Sequence, residues 1–470
     1  MAAAGATAIG PSLLAGAIRT ADSSGAKRIA PAGPASRYTA AISVAFVRRK
    51  GDYGIRWPGA VYDGEAARRN YTEQIEKESK RLGVKVAIRP EPIYSTAEGD
   101  EWLAQAKTEK PDGLLVVLLD RQMHAWPTAA RAVETNIPTV IFAPVGAAFT
   151  TNTAPLSKKV GAFIASTDNF SQAAYGMKTL RAGAKLREMR FVVLRGKERK
   201  DTEVKYLGTK LRYVPAASFL DEYDQTPRTG EVKAIAAEYM KNATRISGPT
   251  EEDVLNGVKS YVVARNILER EEGDGITMDC LGALGATKVS LPCIAWSRML
   301  DHGIPAACEA DLGAAVTHAL VQYLFDRPGF QQDPVADTSN DALIGAHCTC
   351  PTRLNGFSQP PESYYLSHHH GMRDAVPRPM WREGQRMTVA IVGLSNKDKV
   401  PPHMYISSGT VMKNIAVPPS GGCVVSVMVK LDGVDDCLAY PGFHQIFFYG
   451  DYKKQLREYC QLFGIEARVV

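Results

Sequence analysis

Apolar runs and amphipathic stretches alternate along most of this chain. Ala40–Val47 is a continuous apolar run with β-branched residues, the pattern of a strand buried on both faces. Glu65–Leu82 carries a charged face and stops at Gly83, which predicts a helix. Val84–Ile88 predicts a second strand, Gly99–Lys107 a short helix and Gly113–Leu119 a third strand. Ala125–Thr135 then predicts a helix and Pro138–Pro144 a fourth strand. This βαβα alternation is that of an α/β, doubly wound parallel sheet. No Gly-x-Gly-x-x-Gly follows the first strand, so no dinucleotide cofactor is expected.

Ser171–Met189 reads as a long helix handing over to an apolar strand at Arg190–Arg195. Helices at Glu231–Arg245, Glu251–Glu272 and Leu291–His302 and a strand at Gly275–Cys280 predict a second α/β unit. It closes on Ala307–Phe325, a strand end running into a helix. After Asp333-Pro334 the helical period disappears. Met387–Val392, Met404–Ser408, Val411–Val417, Cys423–Val429 and Gln445–Tyr449 are strand-like runs between turn residues. A final helix, Tyr452–Leu462, precedes a terminal strand, Ile465–Val469. The expected order is a leader or tail (1–36), an N-terminal α/β domain (37–185), a second α/β domain (186–335) and a β-rich, barrel-like domain (336–470).

Composition changes this picture little. The formal charge of +6 on 470 residues, with no long Lys/Arg run, gives no nucleic-acid footprint. The Met1–Ile18 segment is uncharged and apolar but too short and Gly-rich for a membrane span. It resembles the apolar core of an export signal whose basic front end is missing, and it reads equally as a disordered tail. The cysteines show no C-x-x-C pair, and Cys348 and Cys350 read as buried structural thiols.

Chemistry concentrates in the second half. Eight of nine histidines and all eight cysteines lie beyond residue 279. Glu309 follows a strand end at Cys308, where functional groups of doubly wound sheets collect. Its neighbour Asp311 fits a helix-capping role better. Asp337 lies in an acid-rich junction between two expected domains, with Asp333 and Asp341 read as linker. His347 ends the apolar run Ala342–Ala346, and His444 stands at the mouth of the Gln445–Tyr449 strand. The run His368-His369-His370 cannot turn three consecutive side chains to one ion from a regular element, so at most one lines a site. Carboxylates with imidazoles suit Mn²⁺ or another divalent cation and leave positions for a ligand with adjacent oxygens. Trp57, Trp296 and Trp381 are candidates to stack on a sugar face, against the commoner role of core packing.

The segments Pro-Ala-Ala-Cys-Glu-Ala-Asp, Ala-Asp further on, and Phe-His-x₄-Tyr-Gly with a last helix ending in Gly-Ile-Glu resemble the L-fucose isomerase / L-arabinose isomerase superfamily. The resemblance implies metal ligands at Glu309, Asp337 and His444. His347 matches a ligand of the arabinose-type branch only. It implies an aldose–ketose isomerase acting on a pentose or deoxyhexose through an enediol, with Glu309 and Asp337 as acid and base. It also implies a small sugar substrate, a trimeric or hexameric ring and a cytoplasmic setting. Two other readings stay open: an exported sugar-binding or sensing protein, suggested by Lys110-Pro-Asp-Gly-Leu-Leu-Val-Val and the apolar leader, and another metal enzyme on sugars, such as an aldolase or epimerase.

Overall fold

The computed structural model describes residues 29–470 except 52, 57–59, 122, 370–371, 396–399 and 417–422. Most of the leader expected over 1–36, and Trp57, lie outside the described residues. The first sheet is fully parallel, in the order Lys85–Ile88, Ala41–Val47, Gly113–Leu118, Thr139–Ala143, Ala162–Ser166. Its central strands are buried along their whole length, which is why they read as unbroken apolar runs. The helix Gly64–Leu82 begins where Asp63 accepts from the backbone N–H groups of Glu65 and Ala66, and ends at Gly83 with φ of 63°. That left-handed residue is the helix stop that glycine makes accessible.

A second sheet follows the order Ala306–Cys308, Gly275–Met278, Arg190–Leu194, Thr209–Val214, Lys200–Val204. Four strands are parallel and the last is antiparallel at the edge. The edge strand reads Lys-Asp-Thr-Glu-Val and is almost wholly exposed, so it carries no apolar signal.

The C-terminal part is a closed antiparallel barrel of six strands. Around it run Arg386–Gly393, Gln445–Tyr449, Phe330–Asp337, Ala342–His347, Val425–Leu431 and His403–Asn414, which pairs back to Arg386–Gly393. Glu466–Val469 adds a parallel strand to His403–Asn414. The runs expected as separate strands from Met404 and from Val411 share a single strand, His403–Asn414, with the irregularity absorbed as a register shift between Val411 and Lys413; Val417 lies outside the described residues.

The barrel packs on the second sheet through the helix Leu312–Phe325, which is buried on nearly every side. Gln445–Tyr449 is buried throughout because its alternating side chains meet packed groups on both faces. Phe447 meets Phe330 and Trp381, while its neighbour Phe448 stacks with Phe325 and Tyr452 on the other face. Each such buried ring contributes about 1.5–3 kcal/mol. Trp296 and Trp381 are 0% and 2% exposed, so neither offers a face to a sugar. Among the described residues no helix is long and apolar enough to cross a membrane.

Candidate metal centre

The carboxyl edge of the second sheet meets the barrel at Glu309. The strand Ala306–Cys308 ends there, and the chain turns sharply. Glu309 and Ala310 both take left-handed backbone angles, with φ of 61° and 53°. The turn is pinned by Ala310 N–H donating to the Met278 carbonyl at 2.9 Å and Asp311 N–H to the Cys308 carbonyl at 3.2 Å. Gln331 holds the preceding residue by accepting from Cys308 N–H at 2.9 Å. A non-glycine residue in this region costs about 1–3 kcal/mol, so the surrounding contacts hold Glu309 against a local preference. His444 is held the same way, with φ of 46°.

These two residues face each other. The His444 Nε2 atom lies 3.3 Å from Glu309 Oε2 and 3.2 Å from Asp333 Oδ1. His347 Nε2 lies 3.8 Å from Glu309 Oε1, and the two imidazole rings are 5.7 Å apart between centroids. One ligating atom each from Glu309, His347 and His444 falls within 4.8 Å of the other two. Asp333 and His347 come from neighbouring barrel strands, Phe330–Asp337 and Ala342–His347.

The polar atoms of this cluster are poorly partnered. Both ring nitrogens of His347, Nε2 of His444 and Oδ1 of Asp333 are buried without a hydrogen bond among the described residues. The short contacts of His444 Nε2 to the two carboxylates are therefore close approaches with poor hydrogen-bond direction. A buried polar atom left unpaired costs about 1–3 kcal/mol. A cation accepting these lone pairs removes that penalty at several atoms together, and the donor set suits one.

Asp311 organises the centre from behind. One of its oxygens caps the helix Leu312–Phe325 by accepting from Ala314 N–H at 2.8 Å. The other contacts His444 Nδ1 at 2.9 Å. That carboxylate fixes the ring's orientation and turns Nε2 toward Glu309 and Asp333, the arrangement that supports metal-bound histidines.

The electrostatics divide the two imidazoles. Burial pushes His347 down to about 4, so it is neutral at pH 7 and one of its ring nitrogens carries a free lone pair. Burial also depresses His444, but Asp311, Asp333 and Glu309 outweigh it and raise it to about 11. The adjacent His444 in turn holds the Glu309 carboxyl below the usual range. Without a cation, His444 is the positive charge that faces three carboxylates; with one, it would give up its proton to serve as a ligand.

The structure brings Glu309, His347 and His444 together and leaves Asp337 apart. Asp337 is on the same strand as Asp333, but four residues of strand rise separate them by about 13 Å. Its carboxylate instead accepts from Ser339 and Asn340 in the following turn. Asp333, expected as linker, lies beside His444 instead. Asp341, the other expected linker acid, pairs with Lys430. Asp311 caps the helix as its sequence context predicts, but its orienting contact with His444 was not foreseen. Nor was Phe443, 63% exposed with its ring centroid 4.4 Å from that of His444, which gives the mouth an apolar wall.

No family model matches the chain, and no curated protein matches it. Solved structures do match, with low similarity. A periplasmic sugar-binding protein of an ABC sugar transporter from Legionella pneumophila is 11% identical, with a TM-score of 0.20, covering 61% of this chain and 96% of that one. GanP, a glucose-galactose binding protein from Geobacillus stearothermophilus, is 14% identical, with a TM-score of 0.20, covering 62% and 93%. An ABC transporter solute-binding protein from Actinobacillus succinogenes with bound D-allose is 12% identical, with a TM-score of 0.20, covering 61% and 92%. At those TM-scores the likeness carries no argument about what this chain does. The expected membership in the L-fucose isomerase / L-arabinose isomerase superfamily is corrected on these findings. Neither a family model nor a curated relative supports it. The assignment as an aldose–ketose isomerase, with Glu309 and Asp337 as its acid and base, falls with it.

Proposed function

We propose that the chain is a binding protein for a small polyhydroxylated molecule, a sugar or polyol. It would hold that ligand through a divalent cation such as Mn²⁺ at Glu309, Asp333, His347 and His444. The observation that carries this reading is the convergence of ligating atoms from Glu309, His347 and His444 within 4.8 Å of one another. Hard oxygens with borderline nitrogens suit such an ion. Four protein donors leave an octahedral ion positions for two adjacent hydroxyls of one ligand. Glu309 is 35% exposed while both histidines are buried, so the open side of the centre faces solvent past the carboxylate. The exposed ring of Phe443 gives the carbon face of a sugar something to lie on. An export signal at the uncharged apolar run Met1–Ile18 would fit this reading.

Titration calorimetry on the full chain tests this, with Mn²⁺-loaded and chelator-stripped protein against aldoses, ketoses and polyols. Binding is expected in the loaded protein alone, and Glu309→Gln is expected to abolish it while the melting temperature stays near wild type. Equal affinity in stripped protein overturns the metal-mediated mode. Silence across the panel in loaded protein overturns the ligand class.

A further inference from the structure

A second cluster lies against the first and uses different donors. The thiols of Cys293 and Cys348 and the imidazole of His369 each place a ligating atom within 4.8 Å of the other two, and all three residues are buried. They arrive from three separate elements: the first residue of the helix Cys293–Asp301, the residue after the strand Ala342–His347, and the last residue of the strand Tyr364–His369. Cys423 stands beside them, its sulfur 4.0 Å from that of Cys348.

Two bland accounts fit these residues less well. Thiols used only as small apolar fillers have no reason to meet one another and an imidazole from three elements. A disulfide between Cys348 and Cys423 needs sulfurs about 2.05 Å apart, half the observed separation. A tetrahedral ion with Zn–S bonds of about 2.3 Å instead sets its sulfurs about 3.8 Å apart. The Cys348–Cys423 separation of 4.0 Å is close to that edge length.

We infer that Cys293, Cys348 and His369, completed by Cys423, form a buried soft-metal site that holds Zn²⁺. Thiolates with one imidazole make a set that selects zinc over the harder ions suited to carboxylates. The closed surroundings assign it a structural task, tying the helix Cys293–Asp301 to the barrel and to the Tyr364–His369 strand. It also fixes Cys348, whose neighbour in the chain is His347 of the first centre.

Elemental analysis of the full chain, purified without chelator, tests the inference together with Co²⁺ exchange. Zinc is expected to co-purify, and Co²⁺ protein is expected to show a near-ultraviolet thiolate-to-cobalt charge-transfer band, which oxygen and nitrogen donors do not produce. Cys293→Ser should abolish the band, His369→Gln and Cys423→Ser should weaken it, and Glu309→Gln should leave it intact. Where a cysteine variant fails to fold, Co²⁺ titration of chelator-stripped wild type supplies the same readout. A wild-type protein without the band, a band that survives Cys293→Ser, or a Cys348–Cys423 disulfide found by mass spectrometry overturns the site. Loss of sugar binding with the band retained speaks only against the Glu309 centre.

Discussion

The two donor clusters share a border, since His347 and Cys348 are consecutive, yet they are built in opposite ways. The Glu309 centre is half-open, rich in oxygen, and places two of its residues on left-handed backbone. The Cys293 cluster is closed and sulfur-rich, and none of Cys293, Cys348 and His369 has a positive φ. Strain is tolerated where a side chain must be aimed at something that comes and goes, and is absent where an ion only has to be enclosed. Burial makes the same distinction. A closed site adds its binding free energy to folding, whereas an open one spends it on holding a ligand.

The largest expected effect follows from that distinction. Cys293→Ser is expected to destabilise the protein by about 4 kcal/mol or more, the range reached when a structural metal is lost. Glu309→Gln is expected to stay near wild type. Calorimetric melts of both variants, loaded and stripped, check this. Equal losses of melting temperature would erase the contrast between the clusters.

Asp311→Asn sharpens the comparison from the other side. It keeps an oxygen for the helix cap but removes the charge behind His444, so cation affinity at the open centre is expected to fall about 10–100-fold. Metal titration followed by calorimetry measures the loss, and the thiol cluster should not respond. A pH profile of the stripped protein adds a second readout. His444 is raised when folded, to about 11, so its stabilising contribution is complete below its unfolded value of about 6.5 and is lost as pH rises through about 11. His444→Gln should flatten that part of the curve.

The legibility of the two clusters in the sequence differs for physical reasons. Glu309 and His444 were readable because each borders an apolar run, Glu309 just after the strand Ala306–Cys308 and His444 just before Gln445–Tyr449. The parallel strands were readable for the same reason, and the exposed edge strand Lys200–Val204 was not. Asp333 was missed because it lies on a strand, Phe330–Asp337, whose first half is buried and whose second half is half-exposed, so the segment looks like a polar junction. The thiol cluster was invisible because its donors are separated by tens of residues and meet only through the packing of a helix, the barrel and a separate sheet. His369 sits in a run of three histidines that spacing alone gives no way to resolve.

The strain itself gives a smaller effect of opposite sign. Glycine adopts φ of 61° without penalty, so Glu309→Gly is expected to stabilise chelator-stripped protein by about 1 kcal/mol while removing cation-dependent sugar binding. Denaturant titration of the stripped variant measures the gain. A loss instead would mean that the carboxylate's contacts with His444 outweigh the relief of the turn.

The smallest expected effect is at Asp337, and it separates two carboxylates that look alike in the sequence. Asp333 lies 3.2 Å from His444 Nε2, while Asp337, further along the same strand, bonds among the described residues within its own turn. Asp333→Asn is expected to weaken the cation because an amide presents a single neutral oxygen to the ion. Asp337→Asn is expected to leave cation content and ligand affinity at wild-type values, since its half-exposed side chain bonds into its own turn and an amide preserves the turn's acceptor. Parallel elemental analysis of the two variants decides between them. If Asp337→Asn lost the cation and Asp333→Asn kept it, the strand would be paired in a different register, and the open centre would have to be rebuilt around the acid at its far end.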